Sequence, residues 1–321
     1  MKTLRDRWRS DAGAEVARVA IEALATGGSL AALGLSTIGG RIDLRGIMVE
    51  STSKSIPTTS VAASALGDLV ELRSVALRSV DLSYASLRNL RLYDVTMDDV
   101  VLEGADCRGL RAWGLDVQRS SLHRCNLAGA VLGAFGDGYR SSYSEVDFSE
   151  ADMRRIVSTA AAYTDCDFSN ARLDGIDFQS SKFVRCRFAG ELRDVIFWDH
   201  GFRTGKAEPN RMEDVDFSDA TLCFVDFRRL DLDRVILPRS PGHLIVHSYP
   251  STLECALAKL SEVEIAGGRR ARALVEHCLK WCGPNQDAGV FYLPELAVEG
   301  IDVAAFSEIV QNCERACMGA S

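Results

Sequence analysis

An apolar residue recurs at every fifth position of this chain from Leu72 to Leu132, and a second stands two places before nearly every one. After a one-residue phase shift the pattern resumes at Phe148 and runs through Phe168 to Phe188. A third run, shifted again by one, passes Leu192 and Phe197 and is clear once more from Met212 to Leu237. In the first two runs 21 of 22 centres and 20 of 22 partners are apolar, where a 47% apolar chain would supply about ten of each.

A period of five matches neither an α-helix, which repeats at 3.6, nor a strand, which repeats at 2. Two inward side chains, two positions apart, describe a short extended segment that ends in a corner. Four such segments close a square coil of about twenty residues, and successive coils pair their backbones about 4.7–4.9 Å apart. Each coil buries its apolar pair only against its neighbours, so the array needs several repeats to hold a core. Residues 70–237 supply a little over eight coils, a column about 40 Å long at that spacing.

The repeat units read Val80-Asp81-Leu82-Ser83, Ala105-Asp106-Cys107-Arg108, Cys125-Asn126-Leu127-Ala128, Val146-Asp147-Phe148-Ser149, Cys166-Asp167-Phe168-Ser169 and Val215-Asp216-Phe217-Ser218. This pattern resembles the pentapeptide-repeat family, whose unit is A(D/N)Lxx, over just over half the chain. The resemblance implies a right-handed quadrilateral β-helix, an all-β solenoid. The early repeats depart from the pattern, with Val in place of Ala and Ser, Arg or Glu at the Asp/Asn position.

Stacking at twenty residues predicts inward ladders. Phe148, Phe168 and Phe188 form one, and Leu82, Leu102 and Leu122 another. Cys166 and Cys186 sit one above the other, with Cys125 in the same kind of slot, as small buried hydrophobes.

Outside the repeats the periodicity changes. Residues 1–40 form a helical N-terminal cap, with a helix over 11–25 begun by Ser10 or Asp11 and ended by Gly27-Gly28. Ile42, Leu44, Ile47 and Val49 begin the β-helix of 41–237 in another phase, and a polar excursion follows at 51–60. Residues 238–321 form a C-terminal helical domain with helices over 253–263, 269–281 and 303–316, which caps the last coil or makes a homodimer contact. Two Gly- or polar-rich loops, 133–144 and 203–210, interrupt the coils.

The chemistry expected is sparse. Cys278/Cys282 and Cys313/Cys317 are i,i+4 pairs that two adjacent helices would present as four thiolates, although zinc sites favour tighter CxxC turns. The favoured reading is two apolar stripes, with all ten cysteines reduced in a cytoplasmic protein and no metal or cofactor. His243 and His247 lie in an extended segment, and His123, His200 and His277 stand apart from one another. No phosphate loop, nucleophile elbow or zinc-protease motif is present in the sequence. A solid column offers no cavity for a substrate, so no catalytic activity is expected. No apolar run approaches the roughly 18–20 residues that a membrane span needs.

The surface is left to act. The formal charge is −8 overall, and 28 acids against 22 bases stand in 70–237, which excludes a general nucleic-acid binder. Acids cluster at Asp94, Asp98, Asp99 and Glu103, and again at Glu213, Asp214, Asp216 and Asp219. Bases interrupt them, including the same-face pairs Arg88/Arg108 and Arg91/Arg111. The expectation is a protein-interaction scaffold with a protein partner. The resemblance implies an alternative, because some family members mimic DNA and bind DNA gyrase, a type II topoisomerase, giving resistance to drugs or toxins.

Overall fold

The computed structural model describes residues 2–26, 28–49, 70–133, 140–199, 210–283 and 286–319. The chain comprises two compact units, Met1–Ile176 and Asp177–Ser321. The repeat region is thus shared between them, and the expected boundary after residue 237 falls inside the second unit.

In the first unit the strands stack in parallel. Leu77 pairs with Met97, Met97 with Val117, Val117 with Tyr143 and Tyr143 with Tyr163. The first three steps along this column are of 20, 20 and 26 residues, so six extra residues are absorbed between Val117 and Tyr143. Of the loop expected at 133–144, Gly133 instead ends a strand and Ser142 begins the next, and residues 134–139 are outside the described ones. Ladder hydrogen bonds run from one coil to the next, as from Leu82 N to Val101 O (2.7 Å) and from Leu102 N to Ser121 O (2.7 Å).

The corners have a repeated backbone signature. Ser74, Ser79, Tyr84, Asn89, Asp94 and Asp99 are all left-handed, and Gly104, Gly109 and Gly114 continue the series. This conformation costs an ordinary residue a steric penalty that Gly, Asn and Asp largely escape. The Asp/Asn of the repeat holds the turn from the other side. The carboxylates of Asp81, Asp147 and Asp167 each accept the backbone N–H and the hydroxyl of the serine two residues on, at 2.5–2.9 Å. Asn126 accepts Ala128 N in the same way. These Asx turns explain why a small acidic or amide residue stands next to the inward centre.

The inward positions are packed. Leu82, Leu102, Leu122, Phe148 and Phe168 are buried, and the Tyr143–Tyr163 and Phe148–Phe168 rings stack at 4.9 and 5.0 Å. Ser158, the polar exception among the centres, is buried with its hydroxyl 2.7 Å from that of Tyr163. Over the first coil lie α1 (Lys2–Asp6), a 3₁₀ turn Arg7–Arg9 and α2 (Asp11–Ala25), which Ser10 caps by accepting Gly13 N. Leu44, Ile47 and Val49 are buried in that coil, and Ile42 pairs with Val80. Asp43 fastens the cap. Its carboxylate accepts Arg7 Nη1 (2.8 Å), Arg7 Nη2 (2.7 Å) and Arg45 Nε (3.0 Å). Burial opposes its ionisation, but these guanidinium bonds outweigh burial and hold the carboxyl well below the usual range. The polar excursion at 51–60 is outside the described residues.

The second unit carries its own coils. Phe178 pairs with Phe197 and Phe197 with Phe227, steps of 19 and 30 residues, and Val215 pairs with Val235 at 20. Phe188 belongs to this unit, buried and stacked on Phe217 at 4.8 Å. Cys166 and Cys186 are both buried, one in each unit. Of the loop expected at 203–210, only Asn210 is described, as is no part of His200.

The C-terminal region is not the purely helical domain that the sequence predicts over 238–321. Strand His243–His247 pairs antiparallel with Ala288–Tyr292, and around this ribbon lie α3 (Tyr249–Glu262), α4 (Gly268–Trp281), α5 (Leu293–Val298) and α6 (Val303–Met318). Leu253, Leu260, Val275, Phe306 and Val310 form its core. A disulfide between Cys255 on α3 and Cys313 on α6 corrects the expectation that every cysteine is reduced. Cys313 is thereby withdrawn from the four-thiolate arrangement, and no metal-ligating cluster occurs among the described residues.

Candidate functional site: the capped edge and its cleft

The last coil of a solenoid presents unpaired backbone groups that would otherwise recruit another strand. Within the second unit these groups are satisfied by the C-terminal region. Leu222 N donates to His243 Nε2 (3.1 Å), Phe224 N to Glu295 Oε2 (2.8 Å), Arg229 N to Trp281 O (3.0 Å) and Leu232 N to Asp287 Oδ1 (3.3 Å). Three side chains and the Trp281 carbonyl therefore stand where a further coil would have put its own carbonyl oxygens. For Nε2 of His243 to accept, Nδ1 carries the proton and donates it to Ser240 Oγ, 2.7 Å away. Burial lowers the pKa of this imidazole, which favours the same neutral form.

A cleft of about 280 Å³ opens beside this capped edge. One wall is the coil from Asp194 to Arg228. The other is formed by α4, α5 and the ribbon strand Ala288–Tyr292. Its floor is apolar, with Leu222, Phe227, Phe291 and Leu296. Phe224 stands at the mouth, 47% exposed, on a left-handed corner at φ 47°. Gly289 is obligatory in the opposite wall, since a Cβ there would fall 2.1 Å from the Tyr249 ring.

Three carboxylates line the cleft. Glu295 is only 9% exposed, and its other oxygen accepts Arg193 Nη1 at 3.2 Å. Burial raises its pKa against the pull of Phe224 N and Arg193. Asp226 accepts Arg228 Nε (2.6 Å) and lies 3.2 Å from His277 Nε2. The Arg228 guanidinium is held between the Trp198 and Trp281 rings, 4.6 and 4.5 Å from their centroids. Asp194, exposed on its own left-handed corner, forms no ion pair with another described residue. Burial pushes the Cys278 thiol, next to His277, up to about 12, which disfavours its thiolate at neutral pH.

Parallel stacking at a step of mostly twenty residues, left-handed corners five residues apart and Asx turns at the Asp/Asn repeats together decide the architecture. The chain has a pentapeptide-repeat fold. No family model and no curated protein matches it. Among solved pentapeptide-repeat structures it is similar to HetL, involved in heterocyst differentiation regulation in Nostoc sp. strain PCC 7120, at 17% identity over 62% of this chain and 93% of that one, with a TM-score of 0.31. Rfr23 from Cyanothece 51142 is similar at 9% identity over 52% and 90%, with a TM-score of 0.27. QnrB1, a plasmid-mediated fluoroquinolone resistance protein, is similar at 14% over 61% and 89%, with a TM-score of 0.29. The assignment of the pentapeptide-repeat fold rests on this chain's own coil geometry.

On the walls of the pentapeptide-repeat coils, most of the acids singled out in the sequence are paired. Asp98 bonds Arg119, Asp99 accepts Arg41 Nη2 (2.6 Å), and Asp94 accepts Ser74 Oγ (3.2 Å). Glu103 accepts the Tyr84 hydroxyl at 3.3 Å. In the second cluster Arg234 bridges Glu213 and Asp214, Arg187 holds Asp219 at 2.6 Å, and Asp216 forms the Asx turn to Ser218 N. The pair Arg88/Arg108 does not simply interrupt negative charge. Both guanidiniums clamp Asp106; burial opposes its ionisation, yet these bonds prevail and hold the carboxyl at about 2. Sequence reasoning did not find the cleft. Its one local signal is Phe224, an aromatic residue at a corner position that elsewhere holds mostly Ser, Asp, Asn, Arg or Gly.

Proposed function

We propose that this chain is a non-enzymatic protein-interaction scaffold, with the capped end of its second unit as the recognition element. The observation that supports this reading most is the contrast between solid coils and a built cleft. The inward positions are filled by Leu, Phe, Tyr and Cys, so the coils have no room for a substrate. The capped end instead joins an apolar floor to a few placed polar groups, as binding sites generally do.

A phosphate-mimicking binder of a type II topoisomerase requires a continuous face of free carboxylates. The arginine pairs of Asp98, Asp99, Glu213, Asp214 and Asp219 weigh against it. The test combines capture and a topoisomerase assay. Immobilised full-length chain is expected to retain a protein from its native lysate in stoichiometric amount, and to leave gyrase supercoiling unchanged. Retention of no protein overturns the scaffold reading, and inhibition or protection of gyrase replaces it with the mimic.

A further inference from the structure

We propose that the cleft of the second unit receives an arginine or lysine side chain of a protein partner, flanked there by an apolar residue. This rests on the scaffold reading and names the chemistry of the partner.

Size comes first. At about 280 Å³ the cleft lies just under the roughly 300–1,000 Å³ of sites for drug-sized ligands, which suits one long side chain. Charge comes second. Of the three lining carboxylates, Asp226 is paired with Arg228, which also lies between two indole rings, and Glu295 with Arg193, which leaves Asp194 without a cation among the described residues. An incoming cation therefore meets a surplus of negative charge, whereas an incoming carboxylate meets repulsion. Apolar contact comes third. The stem of a lysine or arginine can lie along Leu222 and Leu296 while its head stays at the wetter rim near Asp194. Phe224, nearly half exposed at the mouth, offers its ring both to a guanidinium and to a neighbouring apolar side chain.

The corner geometry also supplies clean variants. Asp194 and Phe224 both occupy left-handed corners, where Asn is well tolerated, so Asp194→Asn and Phe224→Asn keep the fold. The probe is the tripeptide acetyl-Leu-Arg-Leu-amide, titrated calorimetrically into the full chain, with the citrulline peptide as its neutral isostere. The arginine peptide is expected to bind saturably and the citrulline peptide about tenfold more weakly. Asp194→Asn is expected to remove most of that difference, and Phe224→Asn to weaken both peptides. Equal binding of the two peptides, or no saturable binding of either, overturns the proposal. Lysate capture with the two variants separates this failure from that of the scaffold reading. A partner retained equally by wild type and both variants refutes the cleft alone, whereas no partner on any chain refutes the scaffold.

Discussion

Phe148 lies flat against Phe168, their ring centroids 5.0 Å apart and their planes within 6°. The two residues are twenty apart in sequence, and both are fully buried at the centre of successive coils. Because a coil packs only on its neighbours, a void at Phe168 removes contacts from two layers at once. Phe168→Ala is expected to destabilise the protein by about 3–5 kcal/mol, read from the midpoint of chemical denaturation. A midpoint equal to wild type contradicts stacked packing.

The Asx turn at Asp167 holds a corner through Ser169 N and Oγ, at 2.8 and 2.5 Å. Asp167→Ala is expected to cost about 1.5–3 kcal/mol, the scale of a hydrogen bond lost to a charged acceptor. Asn keeps the oxygen that accepts Ser169 N, so Asp167→Asn should retain most of that stability. Equal losses for Ala and Asn would place the contribution of Asp167 elsewhere.

His243 links the stability of the second unit to pH. Its folded pKa is lowered by burial, so the folded state binds protons less readily than the unfolded chain. The stabilisation is fully present above the unfolded value of about 6.5 and falls as pH drops toward the lower folded value. Protonation of Nε2 also turns the acceptor of Leu222 N into a donor. Wild type is therefore expected to lose stability between neutral pH and about pH 5, and His243→Gln to lose less over that interval. Parallel pH profiles of the two proteins in thermal melts would remove His243 from this role.

The Cys255–Cys313 bond closes a loop across a sequence separation of 58 residues and ties α3 to α6. Loop entropy gives such a link about 2–4 kcal/mol of stabilisation. A reductant, or the Cys255→Ser/Cys313→Ser double variant, is expected to destabilise the C-terminal region by that amount, read as a lower unfolding midpoint. The midpoint of the first unit, which contains neither cysteine, is expected to stay in place. A C-terminal midpoint insensitive to reductant contradicts the linkage.

The coils were legible because their information is local and repeated. Two apolar positions in every five, an Asp or Asn beside the centre and a corner tolerant of left-handed backbone all lie within one pentapeptide. The capped edge was not legible, because it depends on residues far apart in sequence. Glu295 meets Phe224 N across 71 positions and His243 meets Leu222 N across 21, and neither pairing has a periodic signature. Cysteine spacing drew attention to the i,i+4 pairs, whereas Cys255, alone on α3, is the one that bonds Cys313. The ribbon strand Ala288–Tyr292 was missed for a related reason. Its five residues, Ala-Gly-Val-Phe-Tyr, begin with poor strand formers, and it acquires its partner only when the chain returns to His243–His247.

The uneven register of the coils carries a last consequence. Val117 to Tyr143 spans 26 residues and Phe197 to Phe227 spans 30, yet in each pair the two inward side chains still lie one above the other. The described strands on either side of the extra residues keep the same column, so vertical alignment does not depend on contour length. Such an architecture can be lengthened at one edge without retuning its neighbours, and grafting a segment into a corner becomes a practical route to giving the column new contacts.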